Sequence, residues 1–294
     1  MTCPVVACRF PRKERSIKHL EVLRHGHVNH FTPDYAETMR ALTEGLGGRA
    51  FREWATPEAG SANALVSLGP LCVEVFAPRD PEGPIGQWLA RYPAGWHSLE
   101  WTVPDLAEAA AVLERAGVRI TEKTDDYLFT HPKDLDGLCL EVTHHFFDDD
   151  PRGADDWDTA RGLAGTIPFA GLPRILVAVP DPVSSARRLA ALLGAPVEVV
   201  DRSEIGGIGS VIAFPDHHVE YVGPVPNAYG AVSRRLDAQP PGVWAVELPV
   251  GDLAAAGAAL PEALRAGACD TESALWLSPE ANHGAVFVLT GPRS

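Results

Sequence analysis

The stretch His27-Val28-Asn29-His30-Phe31-Thr32-Pro33-Asp34 decides the fold, because three later stretches repeat its plan. They read Ser98-Leu99-Glu100-Trp101-Thr102-Val103-Pro104-Asp105, Arg174-Ile175-Leu176-Val177-Ala178-Val179-Pro180-Asp181 and Ala245-Val246-Glu247-Leu248-Pro249-Val250-Gly251-Asp252. Each is a short apolar or alternating run that ends at an Asp, and the four Asp residues stand 71, 76 and 71 residues apart. Such a period marks one supersecondary unit copied four times. The residue seven before each Asp changes from His27 to Ser98, Arg174 and Ala245, so the copies differ in the residue type that decides metal chemistry.

Each run reads as a strand, and the Asp that closes it suits a helix N-cap, its carboxylate accepting the free N–H groups of the first turn. Apolar residues then recur at helical spacing: Tyr35, Met39, Leu42 and Leu46; Leu106, Ala109, Ala110 and Leu113; Val183, Ala186, Leu189 and Leu193; Leu253, Ala256, Leu260 and Leu264. Gly47, Gly117, Gly194 and Gly267 follow as helix stops. Pairs of β-prone runs come next, such as Ala64–Leu68 with Leu71–Phe76, Tyr127–Thr130 with Leu138–Val142, Ser210–Phe214 with Val219–Val222, and Leu275–Leu277 with Ala285–Leu289. Each unit is therefore βαβββ, and the fold class is α+β.

Between the second and third units lies Phe147-Asp148-Asp149-Asp150-Pro151-Arg152-Gly153-Ala154-Asp155-Asp156, an acidic segment broken by Pro and Gly and expected to be a linker. Pairing the units gives one domain over about 17–150 and a second over about 165–294. A single unit would leave one sheet face exposed, so two units are expected to face each other around a cleft. Length allows two real cores. The net charge of −14 argues against nucleic acid or an anionic membrane as partner. No apolar run reaches the length of a membrane span, Met1 to Arg15 is basic without a signal-peptide core, and five cysteines without framework spacing suit a reducing cytosol. A cytoplasmic protein acting on a small molecule is expected, with a homodimer left open.

Strand alternation groups side chains by face. His25, His27, Asn29 and Phe31 fall together, as do Cys72, Glu74 and Phe76; Ser98, Glu100 and Thr102; and Cys139, Glu141, Thr143 and His145. Polar groups in the middle of apolar strands are costly unless satisfied, so His27, Glu74, Glu100 and Glu141 need an explanation. One explanation is a divalent metal, since Fe, Mn, Co, Ni and Zn all accept imidazole and carboxylate ligands. The other is a capped core histidine with glutamates on a solvated rim.

Several motifs carry a family resemblance: Pro57-Glu58-Ala59-Gly60; Leu68-Gly69 through Glu74 to Ala77-Pro78; Pro84-Ile85-Gly86-Gln87-Trp88-Leu89; Gly95-Trp96-His97; and His131-Pro132-Lys133-Asp134 through Gly137 to Glu141. With the fourfold βαβββ plan, they resemble the vicinal oxygen chelate superfamily of glyoxalases, bleomycin-resistance proteins and dioxygenases. Residues 19–146 resemble its methylmalonyl-CoA epimerase branch most closely. The resemblance implies two glyoxalase-like domains and a metal held by first- and last-strand residues of paired units, here His27, Glu74, the His97/Ser98 step and Glu141. Counting from Asp105 lands on Ser98, where relatives usually show His. A one-residue bulge after Gly95 would turn His97 into the cleft instead, and His97 is taken as the ligand because Ser is a poor one. Otherwise His27, Glu74 and Glu141 stand alone, aided by Glu100 or water.

By the same resemblance Glu58 is the epimerase-type base, with Glu141 beside it in the catalytic site. The implied activity is metal-dependent proton transfer next to a carbonyl, as in an epimerase, isomerase or glyoxalase-type lyase, on a small metabolite or thioester. A metal-free small-molecule-binding protein of the resistance type and an extradiol-type dioxygenase are the alternatives. His144 and His145 read as strand-end residues, with His145 an outside candidate for the cleft. The second domain offers Arg174, Glu220, Ala245 and Val288 at the matching positions, which cannot hold a metal, so it is read as a degenerate copy. His217 and His218 are expected to be exposed in their turn.

Overall fold

The structure is a computed structural model and describes residues 18–57, 60–154, 167 and 169–291. The first half runs β1 (Arg24–Phe31), α1 (Tyr35–Arg40), β2 (Arg49–Thr56), β3 (Ser61–Leu68), β4 (Leu71–Pro78), α2 (Pro84–Leu89), β5 (Gly95–Thr102), α3 (Leu106–Arg115), β6 (Ile120–Lys123), β7 (Tyr127–Thr130) and β8 (Cys139–Thr143). The second half repeats it as β9 (Arg174–Ala178), α4 (Pro182–Leu193), β10 (Glu198–Arg202), β11 (Gly207–Ala213), β12 (His218–Pro224), α5 (Ala231–Ala238), β13 (Gly242–Pro249), α6 (Leu253–Ala259), α7 (Glu262–Arg265), β14 (Cys269–Asp270), β15 (Ala274–Trp276) and β16 (Phe287–Thr290). This is the expected α+β plan of four βαβββ units in two glyoxalase-like sheets, with α2 and α5 added between the paired units of each half.

All four expected helix caps are present. The carboxylates of Asp34, Asp105, Asp181 and Asp252 accept from the backbone N–H of Glu37, Glu108, Ser184 and Ala255 at 3.1, 2.8, 3.0 and 2.9 Å. At the far end of α4, Gly194 takes a left-handed conformation with φ of 66°, where a side chain would be strained.

Each half is one curled eight-stranded sheet, in the order β2-β3-β4-β1-β5-β8-β7-β6 and β10-β11-β12-β9-β13-β16-β15-β14. The first strands of the paired units, β1 and β5, run antiparallel at the centre, and each pairs in parallel with the last strand of its own unit, β4 or β8. Four strands thus bring their inward side chains to one place in the cup. One apolar core runs through both halves, joining Val28, Leu99, Trp101 and Leu140 to Ile175, Val177, Tyr221 and Phe287, and a smaller one in the second half gathers Leu176, Val222 and Val288. Phe169, on the segment between the halves, is buried in that core beside Gly69, where a Cβ would lie 2.3 Å from its ring. Among the described residues, no helix is long and apolar enough to cross a membrane.

Candidate metal centre

The β-register sets Asn29 opposite both Glu74 and Ser98, and Glu100 opposite Glu141. Alternation then turns Glu74, Ser98, Glu100 and Glu141 toward His27 and Asn29 inside the cup. Two slips in the β1–β5 pairing modify this pattern. One lies between His25 and Val28, where Gly26 and His27 face a single partner. It parts His25 from His27, which strict alternation had placed on one face: His25 meets Asp216 and His217 of the second half, while His27 turns into the cup. Gly26 is needed here because a Cβ on it would sit 1.7 Å from Glu100 Oε1. The second slip lies between Asn29 and His30 and leaves His97 as the extra residue, so a bulge does follow Gly95.

Three carboxylates close around the His27 imidazole. Nε2 lies 2.8 Å from Glu74 Oε2 and 3.5 Å from Glu141 Oε2, and Nδ1 lies 3.5 Å from Glu100 Oε1. The four side chains are only 3%, 6%, 11% and 8% exposed, for His27, Glu74, Glu141 and Glu100. His27, Glu100 and Glu141 offer ligand atoms within 4.8 Å of one another. Despite the short distance to Glu74, the angle at His27 Nε2 is poor for a hydrogen bond, and this buried nitrogen has no hydrogen-bond partner. Two amides fix the carboxylates: Asn63 Nδ2 donates to Glu74 Oε1 at 3.0 Å, and Asn29 Nδ2 donates to Glu141 Oε2 at 2.8 Å.

Burial disfavours the charged form of every member, yet the acids outweigh it at the imidazole. Desolvation lowers His27, but Glu100 and Glu74 hold it well above its ordinary pKa. Glu100 is pushed up to about 8, chiefly by burial, with His27 opposing and Glu141 and Glu74 adding repulsion. Burial also raises Glu74, against the pull of His27. Among the described residues no Lys or Arg makes an ion pair with these three glutamates.

The second cup provides an internal comparison. By register Arg174 matches His27, Glu220 matches Glu74, Ala245 matches Ser98, Glu247 matches Glu100 and Val288 matches Glu141. Here the guanidinium of Arg202 fills the space between the glutamates. Its Nε and Nη2 donate to Glu220 at 2.7 and 2.6 Å, and Nη1 and Nη2 reach Glu247 at 2.9 and 3.0 Å. Arg174 Nη1 adds a bond to Glu220 at 2.6 Å. Gly209 leaves the room, since a Cβ there would lie 1.9 Å from Glu220 Oε1; Asn63 is its counterpart in the first cup. The two cups therefore keep paired glutamates in matched places; among the described residues a guanidinium is paired to them in the second and the His27 imidazole in the first.

A second cluster with metal-ligand composition is His25, Asp216 and His217. Its hydrogen bonds leave no nitrogen free for an ion. Trp101 Nε1 can only donate, so His217 Nε2 accepts from it at 3.0 Å and Nδ1–H donates to Asp216 at 2.7 Å. Arg152 Nη1 likewise donates to His25 Nε2 at 2.9 Å, and His25 Nδ1–H donates to Asp216 at 3.1 Å. Both rings are thereby held neutral, and the chain of contacts ties the halves together. His217 is fully buried, against the expectation of exposure, while His218 is intermediate.

The structure brings His27, Glu74 and Glu141 together. His97 sits at their margin: Nδ1 is 2.9 Å from Ser98 Oγ, and the ring stacks on Phe31 at 4.2 Å and meets Trp88 edge-on at 5.6 Å. Burial pushes His97 down to about 4, so it is a neutral imidazole. Ser98 links it inward, because Asn29 Nδ2 donates to Ser98 Oγ at 2.7 Å as well as to Glu141. Glu58 lies outside the described residues. His145 is exposed and pairs with Asp126 at 2.9 Å, away from the cup. Asn29, Asn63 and Arg202 were not singled out as site residues; alternation places Asn29 beside His27, but nothing local marks Arg202.

The chain has counterparts among known proteins. The family model described as Glyoxalase/Bleomycin resistance protein/Dioxygenase superfamily matches residues 26–134. No curated protein matches in sequence. Among solved structures, a triple mutant of 4-hydroxymandelate synthase from Streptomyces coelicolor is similar with a TM-score of 0.64 and 14% identity, covering 93% of this chain and 94% of that one. Methylmalonyl-CoA epimerase from Mycobacterium tuberculosis has 23% identity and a TM-score of 0.38 over 42% of this chain and 87% of its own. The Streptomyces coelicolor epimerase in complex with 2-nitronate-propionyl-CoA has 21% identity and a TM-score of 0.39 over 42% and 96%. The synthase shares the two-cup fold along nearly its whole length, and residues 26–134 of this chain carry a domain of the Glyoxalase/Bleomycin resistance protein/Dioxygenase superfamily.

Proposed function

We propose that the first cup is a divalent metal site, and that the chain is a vicinal oxygen chelate enzyme moving a proton next to a carbonyl. The observation that carries this reading is the contrast between the cups: among the described residues, matched buried glutamates are ion-paired to guanidinium groups in one and only to an imidazole in the other. The donor set fits a cation. His27 Nε2 makes no well-formed hydrogen bond and lies 2.8 Å from Glu74 and 3.5 Å from Glu141, so these three are the proposed ligands. Glu100, on the Nδ1 side, would hold the ring in the ligating tautomer, as outer carboxylates do at metal-bound histidines. His97 is retained as a further candidate ligand at the rim.

When bound, the metal would act as a Lewis acid toward a substrate carbonyl oxygen. The chain's own residues would do the rest. Asn29 and Asn63 fix the two ligand carboxylates, and Phe31, Phe76 and Trp88 form an aromatic wall that keeps water from the reacting carbon. Glu58, on the strength of its motif, is assigned as the base that removes and returns the α-proton, with Glu141 at the reacting centre. The substrate class is a small metabolite or thioester, and the reaction that of an epimerase, isomerase or glyoxalase-type lyase. One feature favours a metal-free binding protein instead: Ser98 occupies the position where relatives carry a ligand, and its hydroxyl is already engaged by Asn29 and His97.

Metal analysis of protein purified without chelators tests the reading. About one first-row metal ion per chain is expected, falling to background in His27→Ala and Glu141→Gln and unchanged in Glu220→Gln. Equal metal content in all four proteins would refute the site. With metal confirmed, α-proton exchange from thioester substrates in deuterated water, followed by NMR, should vanish in Glu58→Gln while metal content stays.

A further inference from the structure

The two halves enclose a cavity of about 980 Å³ outside the acidic cluster. Trp88, Tyr92, Trp96 and His97 line its first-half wall, and Trp244 and Arg235 line the second. Prolines 93, 132, 180, 240, 241 and 279 make much of the remaining wall, so the interior is rigid and largely apolar. Its size lies within the range of small-molecule pockets, roughly 300–1,000 Å³. The halves meet so tightly at its edge that a Cβ on Gly137 would fall 2.4 Å from the Pro241 carbonyl carbon, which pins the walls at a fixed separation.

Two cations line this cavity: Lys133 is exposed, and Arg235 is the one drawn into the wall. Arg235 is partly buried, and its Nη1 donates only to the backbone oxygens of Gln239 and Pro240, at 3.1 and 3.0 Å. Among the described residues it has no carboxylate partner, and burial with no acid to offset it lowers it to about 10. The acids that line the same cavity are differently placed: Asp136 pairs with Arg188 at 3.5 Å, Asp181 caps α4, and Glu280 is exposed. A desolvated guanidinium with unused donors favours a bidentate oxyanion. Flat apolar walls favour an aromatic body stacked against the indoles.

We infer that this cavity is a binding site for an aromatic carboxylate, the ring lying between the Trp88 and Trp244 walls and the carboxylate on Arg235. None of His27, Glu74 and Glu141 lines it, so binding here needs no metal; of the residues in the proposed metal reading only the rim residues His97 and Trp88 are shared. His97 and Cys139 border both regions, so an occupant would lie next to the rim of the cup.

The test uses 2-naphthoate and its uncharged counterpart 2-naphthalenemethanol, titrated calorimetrically into the full chain in the presence of EDTA. The carboxylate should bind at least tenfold tighter than the alcohol. Arg235→Gln should abolish that preference and leave the alcohol's affinity unchanged, which also shows that the variant is folded. Arg235→Lys should keep part of the preference, and Trp244→Ala should weaken both ligands. Equal affinity of the two ligands for the wild-type chain, or a preference that survives in Arg235→Gln, would overturn the assignment, as would no binding at millimolar concentration. Because EDTA is present throughout, failure here leaves the metal centre untouched, and loss of the metal centre leaves this result standing.

Discussion

Replacing Arg202 with Met tests directly whether a cup of this fold tolerates bare glutamates. The guanidinium is 4% exposed and the side chains of Glu220 and Glu247 are 0% and 3% exposed, so none of the three is well screened by water. Removal would leave Arg174, itself 18% exposed, as the remaining partner, 2.6 Å from Glu220 and 3.6 Å from Glu247. Breaking a buried ion pair by deleting one partner costs about 3–5 kcal/mol. With a urea slope of about 3 kcal/mol/M, the unfolding midpoint should drop by roughly 1–1.7 M at pH 7. The pH dependence fixes the cause. In the native chain burial opposes ionisation of Glu220, but Arg202 holds its pKa below the ordinary value; the stability it contributes is present above that value and is lost as pH falls through the folded pKa. Without Arg202 the Glu220 pKa should move above the unfolded value, so the deficit should shrink on acidification from pH 7 to 5. The triple change Arg202→Met, Glu220→Gln, Glu247→Gln should recover most of the loss, since uncharged groups need no counter-ion. A single variant within 1 kcal/mol of wild type, or a triple variant no better than the single, would refute the reasoning. It would also remove the main argument for a cation in the first cup.

Other perturbations probe separate contacts. Gly26→Ala should turn Glu100 away from His27, because its Cβ would sit 1.7 Å from Glu100 Oε1; metal content should fall while the circular dichroism spectrum stays unchanged. Acid should loosen the tie between the halves, since His25 is pushed down to about 3 by burial. An unfolded histidine titrates near 6.5, so the unfolded chain binds the extra proton first, and stability should fall from about pH 6.5 toward 3 in urea titrations; a flat profile would contradict this. Trp101→Phe removes the donor to His217 Nε2 and should cost about 1–3 kcal/mol. Asp181→Ala should cost about 1 kcal/mol by uncapping α4, measured by the same unfolding titration.

Much of the architecture is written in local signals. Aspartate caps and a period of 71 to 76 residues located the four units, and alternation put His27, Glu74, Glu100 and Glu141 in one cup. Pattern alone could not show the slip at Gly26 and His27, because a bulge is set by what the backbone must accommodate across the sheet. Hence His25 was grouped with the cup, whereas it joins the tie to Asp216 and His217. Exposure of His217 was a reasonable expectation for a Pro-Asp-His-His turn; burial follows from the other half folding over it, with Trp101 on its far nitrogen. Arg202 was silent for the same reason. A basic residue at the end of a strand has no local mark that distinguishes a solvated side chain from one that reaches into a cup.

The apolar core shared by both halves constrains how this molecule could be dissected. Severing the chain after the first cup would strip Ile175, Tyr221 and Phe287 from the partners Leu99, Trp101 and Leu140 need, and leave an oily flank in water. Each cup is thus the other's foundation, which gives the second one a purpose apart from any ligand.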